Sequence, residues 1–173
     1  PTSASEKEIR TKLNFSQGDQ LARVDARALS NRLQATVWVE SADISRNWLN
    51  GEVRIDLKAR IPVAKFTAPG KPQAALDASG EVFNLPGEIP SGLPNVSATS
   101  VASGLIAAEL FTQMPKEFSN GIDRLSAESA INIVIYGKFN ERTLQIIWGD
   151  IEDILLKIKV INSLLELPEN KSI

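Results

Sequence analysis

Asp150, Glu152 and Asp153 bring three carboxylates within four residues of one another. Paired acids can perform general acid/base hydrolysis, but a glycosidase needs its two carboxylates on opposite sides of a sugar-sized cleft. These three instead open an apolar periodic run from about Glu152 to Leu167, where acids favour the positive end of the helix dipole. Glu6 and Glu8 read likewise as first-turn acids. No serine sits in a Gly-x-Ser-x-Gly elbow, and no histidine is present to activate one. Ser163 and Ser172 lack the Ser-x-x-Lys spacing, and Ser3 meets Glu6 at the fourth position. Cysteine is absent as well, which removes thiol nucleophiles and the commonest zinc ligands. Gly104 and the other glycines form no phosphate-binding loop. The expectation is a protein that is not an enzyme, with no catalytic, metal or cofactor-binding residues and no cofactor.

With 43% hydrophobic residues, the 173-residue chain can bury a core in one domain or two small ones. A net charge of -2 with scattered lysines and arginines offers no bulk attraction to nucleic acid or anionic lipid. No apolar run approaches the roughly 20 residues needed to span a bilayer. The chain opens on Pro-Thr-Ser without an initiator Met, so it reads as a fragment or processed form, with any anchor upstream.

Ser5 and Glu8 have capping-box spacing and predict a short helix over Glu6–Leu13. Asp25 is a candidate N-cap for a second helix carrying Ala28, Leu29 and Leu33. Two strands follow, joined by Asn47-Trp48-Leu49-Asn50-Gly51. The first, Trp38 through Ser45, alternates imperfectly, whereas Val53, Ile55 and Leu57 alternate cleanly with Arg54, Asp56 and Lys58. Pro62 closes that segment. Beyond Pro69 the glycines and prolines multiply. Ala74–Leu76 and Glu81–Leu85 are expected as short strands around an Asp77–Gly80 turn, then a loop over Leu85–Asn95. A helix across Ser100–Met114 ends at Pro115. Strands are expected at Ile122–Ser126, Ala130–Tyr136 and Arg142–Trp148, with Gly137–Asn140 turning between the last two. The final helix presents Ile154, Ile158, Ile161 and Leu165 on one face and stops at Pro168, and Lys171-Ser172-Ile173 reads as the start of a strand. Trp38 is expected in the core, while Trp48 at the turn fits either a core or an interface role. The fold class is α+β.

Trp38-Val39-Glu40-Ser41-Ala42, then Arg46-Asn47-Trp48, then Arg60-Ile61-Pro62-Val63-Ala64 resemble the FtsQ/DivIB family of bacterial cell-division proteins. Gly18-Asp19-Gln20-Leu21 with Val24-Asp25 is similar to the segment between the helices of that family's POTRA domain. Leu76 through Phe83, Gly92-Leu93-Pro94 and Trp148-Gly149 are similar to parts of its second, β-domain. Val37 and Leu49 stand where prolines are common in the family, and Ala59 where an acid is usual.

The resemblance implies a POTRA module over residues 1–66, two helices on a short sheet, with its first strand missing upstream of Ser3. It implies a mixed α/β domain over 67–173 with an extended, largely antiparallel sheet and a C-terminal helix, its last strands lying past Ile173. The implied function is a non-catalytic scaffold of the divisome: the extracytoplasmic part of a single-pass membrane protein at the septum. It would bind small coiled-coil division proteins of the FtsB and FtsL type by strand addition and link them to septal wall synthesis. Lys171, Ser172 and Ile173 would be the visible residues nearest the docking edge. The competing reading is a POTRA-type chaperone module of a secretion or outer-membrane assembly pore.

Overall fold

The computed structural model describes residues 3–167 and is α+β, with helices leading into sheets and a helix at the C-terminal end. Its contacts divide the chain into two compact units, Pro1–Ile61 with Phe83–Ile89, and Pro62–Val82 with Pro90–Ile173.

In the first unit, α1 spans Ser3–Lys12. It starts before the expected Glu6, so Ser5 lies inside the helix and the Ser5–Glu8 capping box is not its start. Glu8 has another role: its Oε2 accepts the indole N–H of Trp38 at 2.8 Å. A 3-10 turn at Leu21–Arg23 leads to α2, Ala26–Gln34. Asp25 caps α2 as expected, one carboxylate oxygen accepting the amides of Arg27 and Ala28 at 3.0 Å. Leu29 and Leu33 turn inward and are fully buried, and Ala28 stays exposed. Strands β1, Val39–Asn47, and β2, Glu52–Ala59, pair antiparallel. An irregularity in register between Val39 and Ser41 accounts for the imperfect alternation of β1. Helix α2 is fastened to β1 through the Ala42 carbonyl, which accepts from Ser30 Oγ at 2.5 Å and Gln34 Nε2 at 3.3 Å. The β2 face of Val53, Ile55 and Leu57 is only partly covered among the described residues.

The second unit is built on a seven-stranded sheet. Its strands are β3 (Pro62–Thr67), β4 (Ala74–Asp77), β5 (Val82–Phe83), β6 (Asn95–Ala98), β7 (Ile122–Ser129), β8 (Asn132–Phe139) and β9 (Arg142–Gly149), in the order β5-β4-β3-β6-β7-β8-β9. Strands β3 and β6 are not predicted from sequence. Asn95–Ala98 carries one β-branched residue and sits against Pro94, so its composition reads as loop. Parallel pairing at β3/β6 and β6/β7 gives it what its composition lacks.

Between β6 and β7 run α3, Val101–Gln113, and a single turn α4, Lys116–Ser119. This is the crossover that a parallel strand pair requires. Ser100 caps α3 through its hydroxyl, which accepts the Ser103 amide at 3.1 Å. Helix α5, Ile154–Glu166, follows β9. Alternate strand residues, among them Phe66, Leu76, Val96, Leu125, Ile133 and Ile135, form one core with Ala107 and Leu110 of α3, Phe118 of α4, and Ile154 and Ile158 of α5. The expected turn at Gly137–Asn140 is corrected: Gly137, Lys138 and Phe139 remain in β8, and the turn is Asn140-Glu141, both at positive φ. Gly137 is glycine for space: a Cβ there would collide with the Gly121 backbone.

Candidate partner-binding edge

Strand β9 lies at the end of the strand order. Leu144, Ile146 and Trp148 point to the core side, and Thr143, Gln145 and Ile147 point away, Ile147 being 81% exposed. Its inner edge pairs antiparallel with β8. Its outer edge pairs with no other described strand, leaving a row of backbone donors and acceptors that an added strand can satisfy.

The three acids that drew a catalytic reading lie just beyond this strand. Asp150 Oδ1 accepts the Glu152 amide at 3.1 Å and the Lys157 ammonium at 2.5 Å, and Lys157 also donates to the Asp150 carbonyl at 3.1 Å. The Lys157 hydrogen bond, more than any other influence, holds the Asp150 carboxyl below its ordinary range. Asp153 occupies the N-cap of α5 in a left-handed conformation, φ 51°, without a side-chain cap bond. So one acid ties the strand exit to α5, and the other two line the helix entrance. Lys157 also sits 5.6 Å from the centre of the Trp148 ring, whose own buried N–H finds no acceptor among the described residues. The described residues contain no cluster of three or more His, Cys, Asp or Glu placed to hold a metal ion.

Helix α5 is apolar on more than one side. Ile154 and Ile158 are buried, and Ile161 and Leu165 are partly so, as the periodicity predicts. Leu155, Leu156, Val160 and Leu164 are nonetheless exposed, Leu155 at 69%. Such a helix is usually covered on both sides. The second stripe is visible in the sequence, since all four residues fall outside the core spacing. Between α4, the end of β8 and α5 lies a cleft of about 330 Å3, floored by Phe118, Phe139, Ile158 and Leu165, with Lys138 and Asn162 among its polar lining. Lys171, Ser172 and Ile173 lie outside the described residues.

Residues 1–60 match the family model for the POTRA domain, FtsQ-type. Residues 1–60 are therefore an FtsQ-type POTRA domain, which supports a protein of the FtsQ/DivIB kind. No curated protein matches the chain. FtsQ-type POTRA proteins form a non-enzymatic division scaffold family, so the domain supports a scaffold role in cell division in general and points to partners among division proteins. The family is membrane-anchored at the division site. No described helix is long and apolar enough to cross a membrane.

Proposed function

We propose that the protein is a non-catalytic scaffold of the divisome that receives FtsB- or FtsL-type partners by strand addition and connects them to septal wall synthesis. The observation that carries this reading is the FtsQ-type POTRA domain over residues 1–60; the outer edge of β9, unpaired among the described residues, is where further strands, the protein's own or a partner's, can extend the sheet. Backbone hydrogen bonds along an added strand fix its register, and alternate side chains supply selectivity. On the family pattern, Lys171, Ser172 and Ile173 approach the docking edge. The two-unit arrangement that goes with it is a POTRA module over residues 1–66 and a β-domain over 67–173, held on the extracytoplasmic side by an upstream single span.

The test is co-purification of the full-length protein with FtsB- and FtsL-type proteins. Because these 173 residues contain no cysteine, Gln145→Cys places the one thiol within them on β9, for cross-linking to a cysteine-bearing partner strand. The expected result is a specific heterodimeric product. Failure of both proteins to co-purify would overturn the reading, and co-purification without a cross-link would move the docking edge away from β9.

A further inference from the structure

Two asparagines of this chain precede glycine, in Asn50-Gly51 and Asn120-Gly121. The pair is chemically labile, because an unhindered glycine nitrogen can attack the side-chain carbonyl carbon of the residue before it. Ring closure requires the asparagine backbone to rotate until that nitrogen faces Cγ. The fold leaves this rotation open at one site and obstructs it at the other.

Asn50 and Gly51 lie in the turn between β1 and β2, both exposed, beside Trp48 at 62% and Leu49 at 100% exposure. A Cβ added to Gly51 would meet nothing within 4 Å, so no neighbour resists movement of this peptide unit. Glu52 holds both ends of the Asn50 amide. Asn50 Oδ1 accepts the Glu52 N–H at 3.3 Å, and Asn50 Nδ2 donates to Glu52 Oε2 at 2.6 Å. The first bond supports the negative charge that gathers on Oδ1 as the carbonyl carbon is attacked. One restraint opposes the reaction: the Gly51 N–H donates to the Asn47 carbonyl at 3.0 Å. A single bond at an exposed tip opens at small cost.

Asn120 is exposed too, but it ends α4 in a helical conformation, φ -64° and ψ -23°, which turns the next nitrogen away from its Cγ. Gly121 is held on both sides. Its N–H donates to the Phe118 carbonyl at 3.1 Å, and its own carbonyl accepts the Lys138 amide at 2.7 Å. A Cβ on Gly121 would lie 2.7 Å from the Lys138 carbonyl, so rotation there runs into β8.

We infer that Asn50 is a site of spontaneous deamidation and isoaspartate formation, from which the fold protects Asn120. The Gly51 nitrogen bonds to Asn50 Cγ and gives up its proton. The Cγ–Nδ2 bond then breaks, and the leaving nitrogen takes a proton and departs as ammonia. Water opens the resulting succinimide at one carbonyl or the other, giving aspartate or isoaspartate. Either product sets a carboxylate where the Asn50 amide now meets Glu52, turning an attraction into a repulsion between like charges.

The test is ageing of the whole chain at mildly alkaline pH, followed by trypsin digestion and mass spectrometry. Trypsin separates the two sites, since Asn50 falls in peptide 47–54 and Asn120 in peptide 117–124. Peptide 47–54 is expected to convert about tenfold faster than peptide 117–124 in the folded chain. It should also accept label from an isoaspartyl methyltransferase. In urea the two rates should approach each other, because the protection of Asn120 is then lost. Asn50→Gln, which keeps the amide but lengthens the ring to be closed, should silence peptide 47–54. Equal conversion of the two peptides in the folded chain would overturn the proposal. So would conversion of 47–54 in urea alone, which would make the turn protective. Conversion that survives Asn50→Gln would overturn it in favour of Asn47.

Discussion

The indole N–H of Trp38 donates to the Glu8 carboxylate at 2.8 Å, joining the entry of β1 to α1 across thirty positions of sequence. Trp38 is only 6% exposed, so this donor has no ready access to bulk water. A buried donor that loses a charged acceptor costs about 1–3 kcal/mol. Glu8→Ala is therefore expected to destabilise the first unit by about 1–2 kcal/mol in urea unfolding. A double-mutant cycle with Trp38→Phe should return a coupling of about 1 kcal/mol, since the second substitution removes the stranded donor. Additive effects of the two changes would show that the bond contributes nothing of its own.

A different constraint governs the packing of β8 beside Gly121. The Lys138 amide donates to the Gly121 carbonyl at 2.7 Å, which draws the two backbones together at Gly137. A Cβ on Gly137 would meet that carbonyl and lie 2.9 Å from Ile122 Cα. Because backbone, and not a pliable side chain, stands in the way, Gly137→Ala is expected to cost about 3 kcal/mol. Calorimetry of the whole chain should show the loss in the transition of the seven-stranded unit. An unchanged transition would mean that β7 and β8 separate there at no cost.

The features legible in the sequence share one property: their signal is local. Asp25 at the N-cap, the Asn47–Gly51 turn and the Ile154/Ile158/Ile161/Leu165 stripe all act within a few residues of themselves. What sequence reading missed depends on distant partners. Asn95–Ala98 becomes a strand because β3 and β7 flank it, and Gly137 stays in a strand because Gly121 approaches it. Glu8 shows the same effect in reverse, since its capping spacing was local and its partner Trp38 was not. The candidate edge was legible only in part. Alternation marked β9, but its place at the margin of the sheet follows from the strand order.

The Asp150–Lys157 contact predicts a pH response with a definite sign. Asp150 has its carboxyl held below the ordinary 3.8, chiefly by the Lys157 hydrogen bond, with the Glu152 amide helping. A carboxylate with a depressed folded-state pKa contributes stability that is fully present above its unfolded value and is lost as pH falls through the folded one. The contribution is thus constant near neutrality, starts to fall at about pH 4, and is gone only below the depressed folded-state value. Asp150→Asn should lower the melting temperature slightly at about pH 6, and the gap to the unmodified chain should narrow steadily as the pH falls below about 4. A gap that persists or widens in acid would assign the difference to something other than this ion pair.

The β8–β9 turn holds a correctable strain. Its two residues, Asn140 at φ 47° and Glu141 at φ 65°, are both in the left-handed region, as a two-residue hairpin turn between paired Phe139 and Arg142 demands. Asn tolerates that conformation, but Glu has neither the short amide of Asn nor the freedom of Gly, and a left-handed non-glycine residue costs about 1–2 kcal/mol. Glycine offsets part of that gain by its larger entropy in the unfolded chain. Glu141→Gly is therefore expected to raise stability by about 0.5–1 kcal/mol. Asn140→Ala, which places a less tolerant residue at the first turn position, should lower it by about 1 kcal/mol. Chemical denaturation of both variants checks the pair. Destabilisation by Glu141→Gly would show that the Glu141 side chain makes a compensating contribution larger than the backbone strain it carries.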